Sequence, residues 1–519
     1  MLKMGGAAIS ALKNIAKRIS LFAFEPLAGT PMTRAHGIFL AVLFLAGLVH
    51  WGWFMQADGS FYTAGDWAKE CTYFTVLQEA VQTGCLPYHV SSPLSSMGTP
   101  RFLAIPETLS PLWPPVLLLA FLDVPAFILA NTLILYGAGF AGCLLIRNRY
   151  RLSPFVFFLL FALFNFNGYL TAHLACGHAM WVGYFFLPLI AYFLLKILEE
   201  QEGWSAALWL AASLCGMMLQ GAFHMFIWCL LFLALVLIGT RRFRARAQIL
   251  AVILLGTLLS FLRLWPALLL GDVSRGVEAG YNSWGLLLDA LVSIQPWSRE
   301  ISLGIFFLEY DFYISAVGLI FILIFGIGGR FYRDKRLDDV RYPGLDLALL
   351  VMLVLAAGNV YQWLAVHIPV NLLAVERVPS RFLVLPFIFL LVVACIRAQR
   401  IIPPVGRRPA AAGVLLAAAV ALLVFLLAHS YAWRACFAKQ PATGDLQPAP
   451  HIVRCVDPPY MHRLQVGALV SLLTVMGLTG IWLMRRTRLA AGRRAAVKSP
   501  QKSLTTNMKE GKLPRKDAK

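Results

Sequence analysis

Apolar and polar positions along the chain switch on a long period. Twelve predominantly apolar runs are separated by short polar stretches, most of them near the ~20 residues a helix needs to cross a bilayer. They fall at 35–55, 125–146, 152–168, 180–198, 204–220, 222–240, 247–270, 303–329, 345–363, 382–398, 410–430 and 463–484. The runs are continuous instead of alternating with period two, which excludes a β-barrel. The pattern predicts an all-α polytopic transmembrane helix bundle of about twelve spans.

Composition agrees. Of 519 residues, 59% are apolar and 13% charged, too little polar surface for a soluble chain of this length. The net charge of +20 changes the picture only through its distribution. Much of the excess sits between Arg485 and Lys519, and the rest in short clusters between apolar runs, so no nucleic-acid partner is expected. The clusters RNRYR (147–151), RRFRAR (241–246), RFYRDKR (330–336), RAQR with GRR (397–408) and RRTR (485–488) each follow an even-numbered span. Lys3, Lys13, Lys17, Arg18 and Arg34 fall on the same side. The positive-inside bias then makes both termini cytoplasmic.

The expected organisation is a cytoplasmic N-terminal segment (1–34), a transmembrane bundle (35–484) and a basic, disordered cytoplasmic tail (485–519). Residues 1–34 lack the compact apolar core and small-residue cleavage site of a signal peptide. Five segments face outward: 56–124, 169–179, 271–302, 364–381 and 431–462. The first contains LSPLWPPVLLLAFLDV, too short after Pro115 to span and expected to lie in the interface. Nine cysteines are scattered, and no spacing resembles a zinc site. Cys71 with Cys85, and Cys436 with Cys455, share outer segments, where either disulfides or free thiols fit.

Candidate chemistry concentrates in four outward stretches. TAGDWAKECTYFTVLQEAVQTGCLPYHV (63–90) reads as a helix begun by Gly65 and Asp66, striped by Phe74, Leu77 and Val81, and ended by Gly84 and Pro87. Asp66 is either a helix cap or a working carboxylate, and Glu70 lies one turn on along the same face. Asp58 is a second acid nearer the preceding span. SSMGTPRFLAIPETLSPLWPP (95–115) places Arg101 and Glu107 in proline-stiffened chain. NGYLTAHLACGHAMWVGYFFLPL (167–189) holds His173 and His178 between two spans, with Trp181 and Tyr184 expected at headgroup depth. LLAVERVPSRFLVLP (372–386) brings Glu376, Arg377 and Arg381 to the start of an apolar run, either as an ion pair or as a fork for phosphate.

GDW..E followed by G.LPY, then G.PRF...PETLSPLWPP, GH..W.GY..LPL and RVPSRF, resembles bacterial polytopic proteins of the GT-C glycosyltransferase type. The last two motifs, GH..W.GY..LPL and RVPSRF, resemble the branch related to YfhO-like membrane proteins and the 6-pyruvoyl-tetrahydropterin-synthase-related membrane domain. The motifs span most of the first 400 residues in order, each one short. The resemblance implies a bacterial inner-membrane enzyme that takes a sugar from a polyprenyl-phosphate lipid and passes it to an envelope glycan, lipid or protein. It implies an acid in the first outer loop acting as base, which falls on Asp66, with Glu70 and Glu107 as further catalytic candidates. His178 and Arg381 match the later motifs, and with Arg101 are candidates for substrate or phosphate binding. The paired acids of better-known GT-C enzymes are not plainly present.

Glycosyl transfer needs a carboxylate near an oxocarbenium-like sugar and stabilisation of the leaving phosphate. The expected partners are the polyprenyl-phosphate sugar lipid and membrane lipids. No cofactor and no metal ligand is assigned, and a divalent metal is left open. The rival readings are a lipid or glycan transporter, which calls for ionisable residues at mid-membrane or broken helices, and a non-catalytic envelope assembly factor. Within the spans, His224 and Arg263 are the notable ionisable residues.

Overall fold

A computed structural model describes residues 18, 21–25, 34–55, 62, 65–94, 99–199, 203–268, 280–295, 299–302, 305–330, 342–367, 376–406, 408–437 and 450–498. Asp58 and most of the N-terminal segment lie outside the described residues. The chain is helical nearly throughout. In order come α1 (Arg34–Met55), α2 (Asp66–Thr83), α3 (Val124–Tyr150), α4 (Pro154–Asn165), α5 (Gly168–Cys176), α6 (Leu187–Leu198), α7 (Ser205–Leu219), α8 (Phe223–Gly239), α9 (Phe243–Leu259) and α10 (Phe261–Ala267). Then follow α11 (Trp284–Val292), α12 (Ser315–Phe321), α13 (Pro343–Ala356), α14 (Asn359–His367), α15 (Val384–Gly406), α16 (Pro409–Phe437) and α17 (Pro458–Lys498).

Local chemistry sets several helix starts. Asp123, Ser153, Asn167 and Ser283 each accept a hydrogen bond from an amide in the first turn of the helix they precede, satisfying donors a helix leaves unpaired. Proline at the first turn of α3 and α4 supplies a preset φ where no amide is needed. Gly84 ends α2 in the left-handed conformation, as the sequence predicts.

Among the described residues, seven helices are long and apolar enough to cross a membrane, or nine if each bent pair counts as one span. The bent pairs are α9 with α10, at 68°, and Gly344–Ala356 with Asn359–His367, at 87°. Three shorter apolar helices, Ser205–Leu219, Phe223–Gly239 and Ser315–Ile327, coincide with the remaining predicted runs. The bundle is layered. Pro154–Cys176 is 94% buried in its most apolar window and Pro379–Pro404 is 100% buried, whereas Pro458–Met484 is 6% buried. That outer helix presents Leu469, Leu472, Leu473, Met476 and Ile481 on its surface, the face expected of a lipid-contacting span.

The two ends of the bundle differ in kind. At one end Arg149 and Tyr150, at the end of α3, engage Glu199 after α6, with Tyr342 on the same carboxylate. The Ser153 amide there meets the Gln399 side chain of α15 at 2.7 Å. Arg242, just before α9, donates to the Leu198 carbonyl at the same end. At the other end, residues 89–94 and 99–103 are stitched to the last described segment. β1 (His89–Leu94) pairs antiparallel with both β2 (Thr99–Arg101) and β5 (Ile452–Val453). A second small ladder joins β3 (Glu300–Ser302) to β4 (Ile305–Phe306). Arg263, buried in α10, donates to the carbonyls of Leu103, Ile105 and Thr108. Its charge therefore holds the proline-rich segment in place, which accounts for an arginine inside an apolar helix pair.

Three expectations change. Residues 169–179, read as an outer loop, are mostly the buried helix α5, because Asn167 caps it and its amphipathic polar groups find partners inside the bundle. Trp181 and Tyr184 are accordingly core residues, not headgroup anchors. At the other extreme, α17 runs on to Lys498, so the first part of the basic tail is helical, in keeping with its Ala, Leu and Arg content. Residues 499–519 lie outside the described residues. Cys71, Cys85, Cys436 and Cys455 are all free thiols.

Candidate functional site

Gly177 fixes the geometry of one half of the site. It ends α5 with φ +99°, and a Cβ there would lie 2.2 Å from the Trp67 amide nitrogen. Only glycine permits both the conformation and the approach. Trp67, fully buried, donates its indole N–H to the Leu174 carbonyl at 3.1 Å. The start of α2 is thereby clamped against the end of α5, and Asp66 meets His178, with Oδ2 3.1 Å from Nε2. Gly65, not Asp66, occupies the cap position of α2, and no side chain caps the helix.

Lys69 lies 3.5 Å from Asp66 Oδ2 and 3.5 Å from Glu70 Oε1. The Asp66 side chain is 45% exposed, while that of Glu70 is 4% exposed, so the two acids behave oppositely. Burial pushes the Asp66 carboxyl up, but hydrogen bonds from His178 and Lys69 and their charges outweigh it and hold Asp66 well below the usual range. Burial pushes Glu70 up to about 7; Lys69 opposes this, and repulsion from Asp66 and Glu107 adds to it. The Lys69 ammonium is disfavoured by burial, yet Glu70, Asp66 and Glu107 keep it firmly protonated. One ionised acid at the surface and one readily protonated acid beneath it share a lysine.

The other half is a chain of buried charges. His224, at the start of α8, lies between two carboxylates: its Nε2 is 3.1 Å from Glu107 Oε1, and its Nδ1 is 3.1 Å from Glu376 Oε2. Arg381 donates through Nε and Nη2 to the two oxygens of Glu309, at 2.9 and 2.8 Å, and through Nη1 to Glu376 at 3.1 Å. The two-pronged contact is the geometry a guanidinium makes best. Glu376 also accepts the Val378 amide at 2.9 Å. Trp181 joins the halves. The Arg381 guanidinium lies 5.1 Å from the centroid of its ring, and the His173, His178 and His224 rings pack against it at 4.8, 5.7 and 5.9 Å.

Of the residues expected from the sequence, Asp66, Glu70, Glu107, His178 and Arg381 therefore meet in one cluster. Arg101 does not join them. It donates to Asp457 at 2.6 Å beside His89, and its guanidinium lies 5.9 Å from the Tyr460 ring centroid, in the cap around β1. Arg381 is held by two carboxylates. Lys69 and Glu309 were not singled out by the sequence. The signal for Glu309 was an acid in the apolar stretch FFLEYDFY, where burial demands a cation. That for Lys69 was its i,i+3 spacing from Asp66.

Five carboxylates (Asp66, Glu70, Glu107, Glu309, Glu376) thus face two fixed cations (Lys69, Arg381) and the imidazoles of His178 and His224. Such a site suits proton transfer at Asp66 and Glu70 better than anion binding. Comparison with protein-family models, curated proteins and solved structures finds no match for this chain, so its function is argued from this site.

Proposed function

We propose that this chain is an integral membrane glycosyltransferase that moves a sugar from a polyprenyl-phosphate donor to an envelope glycan, lipid or protein acceptor. The setting is the outer face of a bacterial inner membrane, reached by about twelve spans with both termini cytoplasmic. The observation that carries the reading is Asp66, a half-exposed, ionised carboxylate at the mouth of a buried charged cluster. The cluster lies at the end of the bundle away from the Arg149–Glu199 end.

Asp66 takes the proton of the acceptor hydroxyl as that oxygen bonds to the anomeric carbon. The bond from that carbon to the phosphate oxygen breaks in the same displacement, and its electron pair leaves with polyprenyl phosphate. The anomeric carbon inverts and no glycosyl-enzyme forms. The proton on Asp66 passes to solvent. His178 orients the carboxylate, Lys69 holds its charge, and Glu70, its carboxyl raised to about 7, stands behind it able to hold or release a proton. Glu107, Glu309 and Arg381 position the walls of the site.

The test is reconstitution into vesicles with labelled polyprenyl-phosphate sugars, comparing wild type with Asp66→Asn. Transfer by wild type alone supports the reading, and equal transfer by a folded Asp66→Asn removes Asp66 from the mechanism. A second reading, a lipid or glycan transporter, draws on the two bent helix pairs at 68° and 87°, the kind of broken span that lines transport sites. Movement of labelled lipid between leaflets without sugar transfer would favour it.

A further inference from the structure

Beside Asp66 lies a second constellation, which shares His178 with the charged cluster and adds two side chains, His173 and Cys176, that the proposed transfer does not use. His173 and Cys176 sit one turn apart on α5, and the left-handed turn at Gly177 folds His178 back onto them. The His173 and His178 Nδ1 atoms are 2.7 Å apart. With the Cys176 sulfur they form a set of donor atoms all within 4.8 Å of one another. Three residues from a six-residue stretch thus bring two imidazoles and a thiol together, the Cys176 thiol donating to the His173 carbonyl at 3.3 Å.

We propose that His173, Cys176 and His178 bind a divalent transition metal of the zinc class. Two imidazoles with one thiolate are a borderline-soft donor set, suited to zinc and wrong for calcium or magnesium. Three protein donors are the number that leaves a fourth position for water in a tetrahedral zinc site. Zinc–nitrogen bonds of about 2.0–2.1 Å at tetrahedral angles require the two Nδ1 atoms to spread by about 0.6 Å, a small turn of either ring. Binding needs both imidazoles neutral and releases the Cys176 thiol proton to solvent.

The surroundings point to a ligand site and not merely to a pair of packed histidines. The Asp66 carboxylate lies on Nε2 of His178, the far nitrogen from the cluster. That is the carboxylate–histidine arrangement that fixes the ring and its tautomer for a metal on the other nitrogen. The His173 ring is held at 4.8 Å by both Tyr169 and Trp181, roughly perpendicular to each. His173 and Cys176 are buried, while His178 opens toward the half-exposed Asp66, which gives an ion its way in. The bound ion would also supply a positive charge to a site whose carboxylates outnumber its fixed cations.

The experiment uses the full-length protein in detergent, stripped with a chelator and titrated with zinc, then with cobalt as a spectroscopic probe. The expected result is one zinc per chain and a thiolate-to-cobalt charge-transfer band. Cys176→Ser should abolish that band, His178→Ala should abolish stoichiometric zinc, and Asp66→Asn should weaken zinc about 10–100-fold. Each variant is checked for wild-type elution on size exclusion, and two ligands on different sides of Gly177 keep the test alive if one fails to fold. Wild type that retains no zinc would overturn the proposal. So would a folded Cys176→Ser that gives the same cobalt spectrum. The readout does not depend on sugar transfer: zinc binding without transfer leaves this site standing and removes the proposed enzyme, and transfer without zinc does the reverse.

Discussion

Asp66 Oδ2 lies 3.1 Å from His178 Nε2, across more than a hundred residues of chain, and this contact replaces the helix cap that the local sequence suggests for Asp66. The cap position belongs to Gly65, with no side-chain hydrogen bond. An acid that does not cap its helix is expected to matter more to chemistry than to folding. Asp66→Asn should reduce transfer about 10²–10⁴-fold, the usual contribution of a positioned base. Its unfolding temperature in detergent should stay close to wild type. A large fall in stability with transfer intact would return Asp66 to a structural role.

Glu70 makes stability depend on pH. Its carboxyl is raised from 4.5 to about 7, so between those values the folded state holds a proton that the unfolded state has released. Stability therefore falls as pH rises through that window, by up to about 3 kcal/mol for this group alone. The Asp66 contribution has the opposite sign and is lost only as pH falls below the ordinary carboxylate range. Glu70→Gln should gain unfolding temperature relative to wild type between pH 5 and pH 8. A constant difference between the two proteins across that range would show that Glu70 is not protonated in the folded state.

Removing Arg381 leaves Glu309 and Glu376 buried without their main cation. Arg381→Met should cost about 3–5 kcal/mol, as losing one partner of a buried pair does. Adding Glu309→Gln should recover part of that loss, because an amide needs no counter-charge. Thermal unfolding of the single and double variants reads the coupling; strictly additive losses would mean the pair is not coupled.

Gly177→Ala tests the clamp between α2 and α5. The added Cβ meets the Trp67 backbone nitrogen at 2.2 Å and the Asp66 carbonyl carbon at 2.7 Å, in a conformation that disfavours any side chain. Backbone cannot move aside cheaply, so the Asp66–His178 contact should open. Transfer and zinc binding should then fall together, as measured by labelled-sugar transfer and zinc titration on one preparation.

Arg101→Ala is the contrast. Its partners are Asp457 and Tyr460 in the β1 cap, and its side chain is 31% exposed. A loss of about 1 kcal/mol or less is expected, with transfer reduced no more than a few-fold. A loss of transfer as large as that of Asp66→Asn would bring the cap into the site.

Much of this was legible along the chain. The apolar period gave the helical membrane class, and Gly84 closed α2 where the residue type says it should. Four short outward stretches were marked by polar residues where apolar ones were expected, and each supplies at least one residue of the cluster. Each of the twelve apolar runs contains helix, but among the described residues seven helices, or nine with the bent pairs, have the length to cross, because hydropathy does not register a bend. The sequence also misplaced residues 169–179. A buried helix made of Tyr, Thr, His and Cys is polar by composition, and only its partners, such as Tyr184 on Asn167 at 2.8 Å, show that the bundle interior satisfies it.

The sequence by itself determined the apolar, helical character of most segments, since hydrophobic burial and helix capping act over a few neighbouring residues. Which charge meets which was decided by the tertiary structure. Asp66 finds His178, Glu107 finds His224 at a separation of 117 residues, and Glu309 finds Arg381 at 72. A buried charge is tolerable only beside its counter-charge, and that pairing depends on how the helices pack, which no local pattern records.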